Sequence, residues 1–324
     1  MSDSVISTQG EAAGPTCERV ACAGFTDAVR MTNGTVELIV VPSIQRIFHY
    51  GYIGGPNMLW DNSEAARQAP VRAWKNWGGD KVWPWPHQRW EQWIGRMFPP
   101  PPGVERAGEV DVLAGGAVRL TGPIDKAMGL RVVREIRLAE TGTRAVIINT
   151  LEKVKGEPMD CGVWTISQVS DRDEVYCLLP EGQDEPFIKP FDNGGWAREC
   201  LAGRVAHLCR PAKDGGKVGV DGCGLAVVDG DLAMLQWPIS DSGDVKKIIR
   251  GERVQFYAHG RGTAGVPDPA AYLELEFSSQ IQRLEPGMSA SMTVAWALRP
   301  VTEDDPAAVA AMLDAWMPDA VDRG

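Results

Sequence analysis

The chain has 324 residues, 44% of them hydrophobic and 23% charged, and a net charge of −10 from 33 basic and 43 acidic side chains. That length can bury the core of one large β-domain or two ordinary ones. With a negative overall field and no Lys/Arg stripe, nucleic acid and other polyanions are poor partners.

No apolar stretch reaches the length of a membrane span, and the opening MSDSVISTQGEAAGP lacks a basic start and an apolar run. The expectation is therefore a cytoplasmic chain with no membrane partner. Its 36 glycines and 23 prolines favour short strands and turns over long helices. Seven cysteines, at 17, 22, 161, 177, 200, 209 and 223, are scattered. They read as free thiols in a reducing compartment, and no close Cys/His set predicts a zinc cluster.

In chain order, residues 1–24 read as a tail or a loosely docked strand, 25–300 as one β-domain, and 301–324 as a helix and tail. AVRMTNGTVELIVV is a predicted hairpin about Asn33-Gly34, a further strand is expected to begin at 46–50, and Asn57 to Trp60 follow a Gly54-Gly55-Pro56 break. Six of the twelve tryptophans follow in WKNWGGDKVWPWPHQRWEQW, read as a long excursion closed by a stiff strap at Pro99 to Pro102. Strand then follows strand: 130–138, 144–151, a hairpin about Asp229-Gly230-Asp231, 253–259, 272–277 and 289–298. The absence of helices between them argues for antiparallel sheets and against a βαβ fold. One helix is well signalled, with Asp305 as cap, Pro306 in the first turn, and Val309, Met312, Leu313 and Trp316 on one stripe.

The tryptophan block suggests a ligand surface. Indoles have a flat apolar body and one N–H donor, which suits the faces of sugar rings, and Trp77, Trp83 and Trp85 are the expected stacking residues. The alternative is a tryptophan plug closing one end of a sandwich. His87, in WPHQRW, is a candidate proton donor or acceptor, and His259 is a weaker one. Asp80 and Lys81 follow a glycine pair and could bind hydroxyls side by side or neutralise each other. Trp164 and Gln168 in VWTISQV offer a ring and an amide, and Lys217 adds a cation. In YLELEF, alternation points Glu274 and Glu276 the same way, as either a polar groove or a solvated strand face.

Several segments, taken together and in order, resemble the galactose-mutarotase-like superfamily, and more narrowly its DUF4380 branch. They are VELIVVPSIQRIFHYGYIGGPNMLW, NWGGDKVWPWP, VWTISQV, KVGVDGCGLAVVDGDLAMLQ and YLELEFSSQIQRLEPGMSASMTVAWAL. The resemblance implies an all-β supersandwich of antiparallel strands that binds carbohydrate. It implies Glu274 as the catalytic base of a sugar epimerase and Arg46 as a groove residue. The sequence departs from the family in NTLEKVKGEPMDCGVWTISQ, where epimerases carry an asparagine-histidine pair with the general acid and this chain has no histidine.

The expected function is thus a carbohydrate-active protein taking a mono- or oligosaccharide, with mutarotase-like isomerisation using Glu274 as base and His87 as acid. The alternatives are a lyase or glycoside-cleaving enzyme, with His259 or Lys217 as base, and a binding module without chemistry. No cofactor is expected, for want of a phosphate loop or Walker lysine. A calcium site at Asp171, Asp173 and Glu174 is weighed against an ordinary solvated turn. The oligomeric state is not legible.

Overall fold

The computed structural model describes residues 14–62, 75–183, 185–191, 195–210, 215–242, 249–260, 271–303 and 305–322. Trp74 lies outside them. Two sheets form, and every strand pairing among the described residues is antiparallel.

Edge to edge, the first sheet runs β1 (Thr16–Cys22), β2 (Phe25–Thr32), β3 (Val36–Val41), β4 (Arg46–Tyr52), β5 (Asp80–Trp85), β10 (Met159–Ser170), β19 (Tyr272–Ser278), β18 (Val254–Ala258), β15 (Gly216–Val220) and β12 (Ile188–Pro190). A short β20 (Gln282–Leu284) pairs with the start of β10. The second sheet runs β13 (Ala197–Ala202), β14 (Val205–Cys209), β11 (Glu174–Leu178), β16 (Gly224–Asp229), β17 (Leu232–Asp241), β21 (Ser289–Pro300), β9 (Ala145–Lys153), β8 (Leu130–Leu138), β7 (Val118–Thr121) and β6 (Glu109–Val112).

The sheets share one apolar interior. Val82, Val163, Leu275 and Phe256 of the first sheet belong to the same buried cluster as Ile147, Met234 and Val294 of the second. A polar knot sits inside it. Arg134 of β8 is fully buried, donates to Asn149 Oδ1 at 3.0 Å and to the Asp80 carbonyl at 3.0 Å, and pairs with the Asp80 carboxylate. Ser167 Oγ donates to Asp80 at 2.8 Å, so the charges are paired and hydrogen-bonded, as burial requires.

The segment read as a long excursion is in part a central strand. Gly78 and Gly79 carry φ of +87° and +70°, and a Cβ on either would lie 2.4 Å from the Trp60 carbonyl oxygen or 2.3 Å from that of Ile47. Only glycine lets the chain pass that closely before entering β5. Pro84 is tolerated there because β5 pairs with β10 along its length but with β4 only at Ile47↔Asp80. A short helix, α1 (Trp90–Ile94), follows. The proline strap is not a surface strap throughout: Pro100 and Pro101 are buried. The C-terminal helix α2 (Pro306–Asp322) is capped by Asp305, whose Oδ2 accepts the Ala308 N–H at 3.0 Å, and Val309 and Leu313 pack onto the outside of the second sheet.

Candidate functional site

Register decides which side chains can meet. In the first sheet Lys81 pairs with Ile166, Trp83 with Trp164, Gln168 with Glu274, Glu274 with Tyr257 and Tyr257 with Lys217. Paired residues share a face, so five neighbouring strands bring these groups together on the outer face of the sheet, away from the second. That face carries a cleft of about 360 Å³ walled by Asn76, Lys81, Trp83, His87, Phe98, Trp164, Lys217, Tyr257, His259, Tyr272 and Glu274.

Two crossed ion pairs form its polar centre. Lys81 Nζ lies 3.0 Å from Glu274 Oε1, joining residues 193 apart in sequence, and Gln168 Nε2 donates to the same oxygen at 2.9 Å. Both bonds fall on Oε1, while Oε2 takes none among the described residues. Lys217 Nζ lies 2.6 Å from Glu276 Oε2, which also accepts the Trp164 indole N–H at 2.7 Å. Burial pushes the Lys81 ammonium below its ordinary value, and Glu274 pulls it partly back. Burial likewise raises the Glu276 carboxyl, against the pull of Lys217.

The aromatic walls differ from the expected stacking platform. The Lys81 ammonium covers the Trp83 ring at 4.3 Å, and the Lys217 ammonium covers Trp164 at 4.5 Å. These indole faces therefore hold cations, and the rings are only 6% and 4% exposed. Phe98, 48% exposed, offers the open apolar surface, while His259 stacks on Tyr272 with centroids 5.0 Å apart. Phe98, Tyr257, Tyr272 and Asn76 were missed in the sequence, although Tyr272 shares the alternation phase of Glu274 and Glu276 in YLELEF.

Of the expected site residues, Glu274, His87, His259, Lys81, Trp83, Trp164 and Lys217 line the cleft. The others do not. Trp77 packs edge-on to Phe25 at 5.5 Å in a separate apolar cluster, and Trp85, 3% exposed, packs edge-on to Trp164 with centroids 5.4 Å apart, on the same face but behind the cleft wall. Asp80 and Lys81 do not act side by side: strand alternation turns Asp80 inward to Arg134 while Lys81 faces the cleft. Arg46 is 1% exposed and pairs with Glu105 at 2.5 Å, off the cleft wall. Gln168 and Glu276 are fully buried and support their neighbours from behind.

His87, the expected acid, is held by a backbone carbonyl. Its Nε2 lies 2.7 Å from the Met97 carbonyl oxygen, which can only accept, so Nε2 carries the ring proton. Burial lowers its basicity, which leaves the imidazole neutral near pH 7 with its one proton already engaged. Asp171 pairs with Arg210 and Glu174 faces His207, so Asp171, Asp173 and Glu174 do not form the calcium cluster considered from the sequence.

No protein-family model and no curated protein matches the sequence. Among solved structures the chain is similar to a candidate aldose 1-epimerase from Klebsiella pneumoniae (TM-score 0.55, 13% identity, 94% of this chain and 86% of that one). It is similar to a galactose mutarotase-like protein from Lactobacillus casei (TM-score 0.53, 10% identity, 84% and 100%). A third likeness, to a TPR-domain protein from Parabacteroides distasonis, covers 86% of this chain and 49% of that one (TM-score 0.54, 13% identity). At these identities the likeness is one of fold.

Proposed function

We propose, from the premise that this chain has the galactose mutarotase-like fold, that its cleft binds a small carbohydrate and that Glu274 moves a proton at the anomeric centre. The observation that carries this reading is the split role of the Glu274 carboxylate: Oε1 is fixed by Lys81 and Gln168, and Oε2 is left for a ligand. A base oriented through one oxygen and open at the other is suited to accept a hydroxyl proton. The cleft volume, about 360 Å³, is at the small end of ligand sites and fits a monosaccharide or the end of a short chain.

In the reaction, Glu274 Oε2 takes the O1 proton while Lys81, whose acidity burial increases, gives a proton to the ring oxygen. The C1–O5 bond breaks, the aldehyde turns over, and reversal of the two transfers closes the other anomer. His87 accepts or orients, and the missing family histidine is replaced by Lys81. The narrower DUF4380 likeness stands on its residues alone.

Proton NMR of freshly dissolved aldoses tests the proposal. Anomer exchange should accelerate with wild-type protein and fall by about 100-fold or more in Glu274→Gln, the range for loss of a general base. Exchange no faster than without protein, for hexoses and pentoses alike, rejects the epimerase. A binding module without turnover is the second reading, favoured by the engaged His87 proton; it requires sugar binding with no acceleration at all.

A further inference from the structure

Three metal-type donors converge on the outside of the second sheet, remote in sequence from the cleft's acidic strand. His207 and Cys209 stand two apart in β14 and so share a face; Glu174 of β11 is the register partner of Cys209, and Tyr176 that of His207. That face is the outer one, since Val175 and Cys177 belong to the intersheet interior while Tyr176 joins the layer under α2. Glu174 Oε2 is 3.3 Å from His207 Nε2, and Cys209 Sγ is 3.8 Å from the same nitrogen. All three donor atoms fall within 4.8 Å of one another.

We propose that Glu174, His207 and Cys209 form a zinc site that ties β11 to β14. A tetrahedral Zn²⁺ with bonds of ~2.0–2.1 Å to nitrogen and oxygen and ~2.3 Å to sulfur sets ligand separations of about 3.3–3.6 Å. Two of the three edges, 3.3 and 3.8 Å, already lie close to that, and the third, no longer than 4.8 Å, closes with a side-chain adjustment of at most about 1.2 Å. One thiolate, one imidazole and one carboxylate select zinc over calcium or magnesium, which prefer all-oxygen shells. The thiol gives up its proton to solvent as the metal–sulfur bond forms, and thiolate plus carboxylate then balance the dication.

The Tyr176 hydroxyl, donating to Glu174 Oε2 at 3.1 Å, and its ring, stacked on His207 at 5.0 Å, orient two of the ligands. Nδ1 of His207 carries the ring proton in this arrangement; it is buried and has no hydrogen-bond partner among the described residues, which is a cost the metal must exceed. Cys200 of β13 stands opposite His207 in register, on the strand that completes this edge of the sheet. No run of the sequence announces the site, because its donors come from two strands separated by another hairpin's worth of chain.

The test uses the full chain, stripped by chelator and titrated with Co²⁺. The expected result is a thiolate-to-cobalt charge-transfer band with tetrahedral visible bands, saturating at one Co²⁺ per chain and displaced by Zn²⁺. Cys209→Ser should remove the charge-transfer band, Glu174→Gln should weaken Co²⁺ binding at least tenfold, and Cys22→Ser should change neither. Circular dichroism of each variant confirms the fold, and Glu174, whose side chain is 38% exposed against 3% for His207, supplies a variant less prone to misfold than one at the buried histidine. The proposal is overturned if folded wild-type protein gives no thiolate band, or if the band survives Cys209→Ser, or if Glu174→Gln binds Co²⁺ as wild type does.

Discussion

Lys217→Met isolates the electrostatics beneath the cleft. Glu276 is fully buried; its Oε2 depends on Lys217 at 2.6 Å and Trp164 at 2.7 Å, and its Oε1 has no partner among the described residues. Removing one member of a buried pair costs ~3–5 kcal/mol, and because Lys217 keeps 18% exposure the low end, about 3 kcal/mol, applies. The sign with pH follows from the direction in which Glu276 is displaced. Burial already holds this carboxyl above its ordinary range, and losing Lys217 removes the main influence pulling it down. The folded state then binds the proton more tightly than the unfolded state. Stability is fully present below the unfolded value, about 4.3, and is lost as pH rises towards the folded one, with a slope of about 1.4 kcal/mol per pH unit between the two. Urea unfolding followed by tryptophan fluorescence should therefore show Lys217→Met much weaker than wild type at pH 8 and only slightly weaker at pH 5. Adding Glu276→Gln should restore most of the loss at pH 8, as a coupled pair requires. Equal losses at both pH values, or no recovery in the double variant, would refute the reasoning.

Trp77→Ala should cost ~3–5 kcal/mol of stability, as for other buried aromatic truncations, yet leave sugar affinity of the folded protein within twofold, because Trp77 packs on Phe25 and Phe48 away from the cleft; isothermal titration and urea melts check both halves. Asp80→Asn strands the fully buried Arg134 guanidinium and should cost ~3–5 kcal/mol, recovered in part by pairing it with Arg134→Met, without altering anomer exchange by whatever protein folds.

The fold was legible because its signals are local. Alternation in 130–138 and 272–277, the turn at Asp229-Gly230-Asp231 and the Asp305 cap each depend on a few consecutive residues. The candidate site was legible where side-chain chemistry stood out from its surroundings. Glu274 stood out as a charge on an alternating strand and Lys217 only as an added cation, and both line the cleft.

Asp80 and Trp77 show why the rest was not. A buried acid paired with an arginine from the opposite sheet has the same one-letter context as an acid lining a groove. Which face of β5 meets the other sheet depends on Arg134, 54 residues on. Tryptophan density likewise marks an aromatic-rich region without saying which rings face inward. The open apolar surface, Phe98, comes from a stretch with no periodicity.

The most direct test is saturation-transfer NMR on a panel of aldohexoses, aldopentoses and disaccharides, comparing wild type with Phe98→Ala and Glu274→Ala. Ring protons of at least one sugar should receive saturation from wild-type protein, and each substitution should weaken that transfer at least tenfold while the protein stays folded. No transfer to any sugar, or transfer unchanged in both variants, would contradict a carbohydrate site in this cleft.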